Sequence, residues 1–310
     1  MVSIITVNYN SLDVTCELLD SIRRNSFKDV EVIVVDNASS TSPEGFLKKH
    51  YPEVKLIQSE KNLGFAGGNN LGIRASRGDF LFFLNNDAEL TDGAIETMLA
   101  LFKRVPGVGI ASPKICYHNA KPGSEPDVIQ YAGTTHVHSL TARNSILGER
   151  QIDNGQFSSA TPTAYAHGAA MMVPRKVVNE VGLMPEEFFL YYEELDWCER
   201  IRRAGYEVWM EPSAKVYHKE SYTVSKISAL KTYYLNRNRL LFMRRNRTKI
   251  QWSLFCVFLF LFTVPKNSLT YLLKGEWANL KAFLNAIRWN FTSQKIRPVS
   301  TPLTFSLVSE

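Results

Sequence analysis

Residues 80–84 read Phe-Leu-Phe-Phe-Leu, an apolar run with no polar residue in alternation. A strand with one wet face alternates, so this run predicts a strand covered on both faces, near the middle of a largely parallel sheet. Asn85, Asn86, Asp87 and Glu89 follow directly. That delivers carboxylates to the carboxyl end of a central strand, where open α/β sheets bind ligands. A hard divalent cation takes oxygen ligands and completes its shell with water and substrate phosphate, so one or two carboxylates suffice. The same residues also read as a polar turn leading into the helix that starts near Gly93. The spacing leaves both readings open.

The flanking chain supplies the rest of such a sheet. Val2–Val7, Glu31–Val35 and Val54–Ile57 are short apolar strands, separated by helical stripes at Leu18, Leu19 and Ile22 and at Phe46 and Leu47. Strand, helix and strand with short connections predict parallel, right-handed βαβ units. No Gly-x-Gly-x-x-Gly follows the first strand, where Asn8-Tyr9-Asn10-Ser11 stands, and no Walker A lysine loop occurs. A dinucleotide site is therefore excluded. A single nucleotide held by side chains at strand ends stays open: Asp36 can accept from a ribose hydroxyl or base N–H, and Asn8 can read a base edge. Each is equally a turn-former. Lys61–Asn70 is a glycine-rich loop opening a helix towards Ser76, suited to be a lid or wall of a nucleotide pocket.

A formal charge of +6 on 310 residues suits a nucleic-acid binder, a protein on an anionic membrane or one handling phosphorylated ligands. The basic residues crowd into Arg237–Lys249, and Trp252–Val264 behind them is an almost wholly apolar run closed by Pro265. That neighbour favours lipid over nucleic acid. Thirteen residues are short of the ~20 that span a bilayer. Residues 225–310 thus read as a helical appendage lying on or dipping into the cytoplasmic leaflet, with a buried helix packed on the rest of the chain as the alternative. Cys16, Cys116, Cys198 and Cys256 are far apart and fit free thiols in a reducing compartment. Met1 runs straight into a strand, without the apolar leader of a cleaved signal peptide, so a cytoplasmic catalytic part is expected.

Cys116–Ala160 is polar and hard to assign, and is expected to carry specificity loops. His136 and His138 would share one strand face, as a surface strand or a metal pair. His167–Val173 reads as a strand and Arg175–Val181 as a helix. A second chemically loaded block follows: Phe188–Tyr192, then Glu193, Glu194 and Asp196. Acids beside an aromatic run are costly to bury without a task, yet they also compensate the dipole at the start of a helix over Leu195–Ala204.

Val7-Asn8-Tyr9-Asn10, Val35-Asp36-Asn37 with Ser39, Asn62-Leu63-Gly64-Phe65 with Gly67-Gly68-Asn69, and Leu84-Asn85-Asn86-Asp87-Ala88 resemble, in order, the blocks of the family 2 glycosyltransferases. The likeness is closest to rhamnosyltransferase and galactofuranosyltransferase-like members of bacterial polysaccharide assembly, and covers residues 2–220. It implies a GT-A fold, a mixed, mostly parallel sheet flanked by helices, expected as a catalytic domain over 1–224, and the basic and apolar pattern of residues 225–310 makes them the expected membrane-associating extension. It implies inverting transfer from a nucleotide-diphosphate sugar, dTDP-rhamnose or a UDP-sugar, to a lipid-linked or cell-surface glycan at the cytoplasmic face of the membrane, with Mg²⁺ or Mn²⁺. Nucleic acid is not an expected partner, and a homo-oligomer stays open.

Matched residue by residue, the resemblance implies nucleotide-sugar contacts at Val7, Asn8, Asp36, Asn62, Gly67, Asn69, Asn85 and Asn86, and metal ligands at Asp87 and His218. Asn85 departs from the family pattern, which has a carboxylate there. Glu194 falls on the general-base position, with Asp196 as the second candidate for base or orienter. The rival readings are a catalytically silent nucleotide-sugar-binding scaffold and a sugar-nucleotide pyrophosphorylase. The latter would need an arginine-bearing glycine loop after the first strand, which Asn8–Leu12 lacks.

Overall fold

The computed structural model describes residues 1–118, 126–219 and 228–292. In chain order its first elements are β1 (Val2–Asn8), α1 (Leu12–Arg24), β2 (Val30–Asp36), α2 (Glu44–His50), β3 (Lys55–Gln58), α3 (Gly64–Ala75), β4 (Phe80–Leu84), β5 (Ala88–Leu90) and α4 (Ala94–Arg104). Then come β6 (Val108–Tyr117), β7 (Ile129–Tyr131), β8 (Thr161–Pro162), β9 (Ala170–Pro174), α5 (Arg175–Val181), α6 (Glu193–Arg203) and β10 (Glu207–His218). Helices α7 (Ala229–Asn246), α8 (Lys249–Phe258), α9 (Val264–Leu273) and α10 (Trp277–Thr292) complete the described chain.

One sheet runs β3-β2-β1-β4-β9-β6-β10-β5, with β7 on β6 and β8 on β10. The first four strands are parallel, β9 is antiparallel to β4, β6 and β10 are parallel, and β5 is antiparallel to β10. The sheet is mixed, and the apolar run of β4 lies inside it between β1 and β9, as its lack of alternation requires. Ile5, Ile33, Leu81 and Phe83 face one core with Ile73 of α3, Val177 of α5 and Trp197 of α6. Ile4, Val32, Val34 and Phe82 face the other, with Leu18 of α1, Leu47 of α2 and Met98 of α4. Each apolar strand thus spends both faces on burial.

The reversed strand β9 decides where the site forms. Its register with β4 pairs Leu84 with Ala170, so the amino end of β9 meets the carboxyl ends of β1, β2 and β4 at one sheet edge.

The C-terminal helices depart from expectation in two ways. Helix α7 is the alternative realised: Leu240, Leu241, Phe242 and Met243 are buried in the core shared with α6. Pro265 does not end the apolar helix. A π-turn over Leu259–Thr263 shifts the hydrogen-bond register, so that the proline falls in the first turn of α9, where its missing N–H costs nothing. Helix therefore continues from Lys249 to Leu273, 25 residues long and apolar enough to cross a membrane by length and composition, with almost all of its apolar window uncovered. The expected boundary at residues 224 and 225 lies outside the described residues.

Candidate active site

A cavity of about 470 Å³ opens at that sheet edge. Asp87 follows β4, His218 ends β10, and Glu194 opens α6, and all three line it.

On the metal side, His218 Nε2 lies 3.0 Å from Asp87 Oδ1, with both side chains at most a tenth exposed. His218 Nδ1 lies 2.8 Å from Gln130 Oε1. An amide oxygen only accepts, so this contact places the ring proton on Nδ1 and leaves a lone pair on Nε2 facing a carboxylate oxygen. Two acceptor atoms facing each other at that distance can share a cation. The 3.0 Å separation is also the edge of an octahedron with bonds of about 2.1 Å, so the pair fits a divalent ion. Asn85 Nδ2, 3.2 Å from the same Nε2, donates to it, so an amide stands where the resemblance implies a carboxylate. Glu89 turns away to Arg24 and His118.

Two other metal candidates do not compete. His136 and His138 lie on irregular backbone, not a strand, and His138 Nδ1 accepts from the backbone N–H groups of Leu140 and Thr141. The cluster of Cys116, Asp127 and Asp153 has its carboxylates neutralised by Lys215 and Lys114, and burial pushes the thiol up to about 12.

The nucleotide half divides. Val7, Asn62, Asn85 and Asn86 line the cavity, joined by Tyr9 and Asn37. Asn8 and Asp36 stand behind that wall: Asn8 donates to Asp36 Oδ1 at 2.8 Å and accepts from Thr15, while Ser39 donates to Asp36 from both its backbone N–H and its hydroxyl. Their hydrogen bonds are spent on joining β1 and β2 to their turns. Gly67 and Asn69 belong to α3 and also lie off the cavity. A Cβ on Gly67 would come within 2.6 Å of Leu63, and Asn69 donates to the Phe65 carbonyl. Close helix packing therefore explains these positions without a ligand.

The acidic half has unusual backbone. Phe189 is the centre of a γ-turn, φ +64° and ψ −56°, closed by Leu190 N–H to the Phe188 carbonyl, and Tyr191 and Tyr192 are left-handed at +71° and +74°. Each such bulky residue costs about 1–3 kcal/mol. Positive φ at Gly64 lets α3 come in against this turn, where the Phe65 N–H donates to the Phe189 carbonyl. The turn delivers Glu193 and Glu194 to the cavity. Each has an Oε2 sealed from water with no partner. Burial raises both carboxyls, Glu194 to about 7, and Glu194 raises Glu193 further. A carboxylate poised near neutrality with an open acceptor atom suits general-base work.

Asp196, the second candidate, is 1% exposed and points away, bound by Arg245 at 3.0 Å and Asn246 at 2.8 Å. It is an ion-pair anchor between α6 and α7, which corrects its assignment as base or orienter.

Sequence reasoning missed several lining residues. Gln130 sits on β7 within a segment without periodicity, so nothing marked it. His167 lines the cavity beside Gly168. Burial pushes it down to about 3, and its Nδ1 accepts from the Ala169 N–H, so the neutral ring carries its proton on Nε2. Gly168 lies against the Glu194 carboxyl, where an added Cβ would be in ordinary van der Waals contact at 3.9 Å.

An acid with a raised carboxyl on one wall thus faces a metal-fitting pair on the other, and the class of protein follows from the comparisons. Residues 3–182 match the family described as Glycosyl transferase family 2, and the chain belongs to that family. It is 28% identical over 244 residues to the low-salt glycan biosynthesis hexosyltransferase Agl10 of Haloferax volcanii, covering 77% of this chain and 74% of that one. It is 23% identical over 278 residues to the N-acetylglucosaminyl-diphospho-decaprenol L-rhamnosyltransferase of Mycobacterium tuberculosis, covering 81% and 88%. The crystal structure of GalNAc-T7 with UDP, GalNAc and Mn²⁺ superposes with a TM-score of 0.65 at 14% identity, over 95% of this chain and 57% of that one. That last likeness carries the fold alone, which is GT-A. The chain is a glycosyltransferase using a nucleotide-sugar donor.

Proposed function

We propose that this glycosyltransferase is metal-dependent and inverting, and that it moves one sugar from dTDP-rhamnose or a UDP-sugar to a hydroxyl of a lipid-linked or cell-surface glycan. The observation that carries the reading is that Asp87 and Glu194, 107 positions apart in the sequence, open onto one cavity. Asp87 and His218 would hold a divalent cation, which when bound neutralises charge on the departing diphosphate. Val7, Tyr9, Asn37 and Asn62 form the wall for the nucleotide. Glu194 takes the proton of the acceptor hydroxyl as that oxygen attacks the anomeric carbon from the face opposite the diphosphate. Phe189, Leu190 and Tyr191 of the turn line the cavity beside Glu194 and would flank the acceptor.

Attachment to the cytoplasmic face of the membrane belongs to the same reading, with residues 225–310 as the attaching region. Ile250, Leu254, Val257 and Leu261 form an exposed apolar stripe on the helix from Lys249 to Leu273. Helix α10 returns alongside it and is tied to α7, where Asn290 donates to the Arg237 carbonyl. Both ends of the apolar helix are thereby kept beside the catalytic body, which favours lying in the interface over crossing it.

The test is release of nucleoside diphosphate from a panel of nucleotide sugars, with Mn²⁺, Mg²⁺ or chelator, with and without a lipid-diphosphate saccharide. Metal-dependent release stimulated by acceptor is expected, and abolished in Asp87→Ala. Donor binding without any turnover would return the protein to the silent-scaffold reading.

A further inference from the structure

We infer that Asn238, on α7 and outside the cavity, is a positioning residue that holds the catalytic turn in its working shape. Its side chain is 0% exposed. Its Nδ2 lies 2.8, 2.7 and 2.8 Å from the carbonyl oxygens of Phe188, Leu190 and Tyr191. These carbonyls converge because the γ-turn at Phe189 and the left-handed Tyr191 reverse the usual alternation of peptide directions. Two amide hydrogens therefore serve three acceptors, one of them shared, and no other uncharged side chain of this size offers a flat pair of donors.

The neighbouring residue completes the clamp. Arg237 Nε donates to Asn238 Oδ1 at 2.8 Å, which fixes the amide with its NH₂ towards the turn. Arg237 Nη2 donates to the Glu187 and Phe188 carbonyls. The guanidinium is held between the rings of Tyr234 and Trp289, at 4.8 and 4.7 Å. The carbonyls so held belong to residues that immediately precede Glu193 and Glu194, whose backbone direction is set by the left-handed Tyr192. Without its donors the turn would relax to ordinary backbone angles, and both carboxyl groups would swing from the cavity wall. The clamp sits on α7, with Trp289 on α10, and α7 leads directly into the separate helix from Lys249 to Leu273 that carries the apolar stripe.

This inference rests on Glu194 being the base, and the experiment separates the two. Asn238→Ala and Asn238→Asp are compared with Asn279→Ala, which removes a hydrogen bond between α10 and Thr232 of α7 without touching the clamp or the turn. Expected are a kcat lower by tenfold or more in both Asn238 variants, with donor KM within twofold, and a kcat within twofold of the unaltered enzyme in Asn279→Ala, whose own loss of thermal stability is measured alongside. In a Glu194→Gln background, Asn238→Ala should add less than a twofold loss. Should Asn238→Ala fail to fold, Asn238→Ser, which keeps one donor, is held to the same criterion. Retained kcat in the Asn238 variants while Glu194→Gln is inactive overturns the clamp alone. Full turnover in Glu194→Gln overturns the base, and the clamp's purpose with it.

Discussion

Replacing Glu194 with glutamine should make the protein more stable and nearly inactive, and the stability gain should depend on pH. Burial lifts the Glu194 carboxyl from 4.5 to about 7. Between those values the folded protein holds a proton that the unfolded chain has lost. Stability therefore falls as pH rises through that window and stays lower above it. At about 1.4 kcal/mol per pH unit the loss amounts to about 3 kcal/mol. Glutamine keeps the shape and does not titrate, and losing the Glu194 charge also lets Glu193 ionise more easily, which adds to the difference in the same direction. The variant should match the unaltered protein near pH 4.5 and exceed it by about 3 kcal/mol at pH 8, a rise of several degrees in unfolding midpoint. Turnover should drop about 10²–10⁴-fold, the usual worth of a positioned base, and the unaltered enzyme's kcat should climb with pH through 7. Denaturant unfolding at pH 5 and pH 8, beside single-turnover transfer, measures both. A stability difference equal at the two pH values would refute the claim that burial at this site disfavours the ionised Glu194 carboxyl.

The remaining expectations concern separate parts of the site. Asp196→Asn should cost about 3 kcal/mol by unpairing buried Arg245, yet leave kcat per folded molecule within a few-fold in a calibrated transfer assay. Gly64→Ala places a methyl 2.1 Å from the Phe189 carbonyl oxygen at φ +72°, and should lower both melting temperature and kcat. Gln130→Leu removes the acceptor that orients His218 and should weaken Mn²⁺ about 10–100-fold in a metal titration followed by calorimetry. Leu254→Glu with Leu261→Glu should abolish flotation with anionic vesicles and leave donor hydrolysis in detergent intact.

Much of the donor side was legible because strand ends announce themselves: an unbroken apolar run such as Phe80–Leu84 fixes a central strand, and the polar residues behind it then have one place to go. What the pattern could not resolve was which polar side chains turn inward. Asn8 and Asp36 sit at the right strand ends but satisfy each other, and their neighbours Tyr9 and Asn37 reach the cavity instead. Asp196 and Glu194 lie two positions apart on one helix, so composition treats them alike, and only the arginine on α7 separates anchor from base. Gln130 had no signal at all, since its strand is three residues long. Pro265 misled because a helix can absorb a proline by widening one turn upstream, and no periodicity in Trp252–Val264 betrays that widening.

Strand β9 enters the sheet against the grain of its neighbours, and so the two walls of the cavity are written in separate stretches of the gene product. The wall from Val7 to Asp87 is laid down before the chain reaches β5, save for His218, which β10 brings in later, and the wall from His167 to Glu194 begins only after the long excursion through β7 and β8. Among the described residues of that excursion only Gln130 reaches the lining, so its length can change with little effect on the register of either wall. A lineage built on this plan is free to try new acceptors while leaving its grip on the activated sugar untouched.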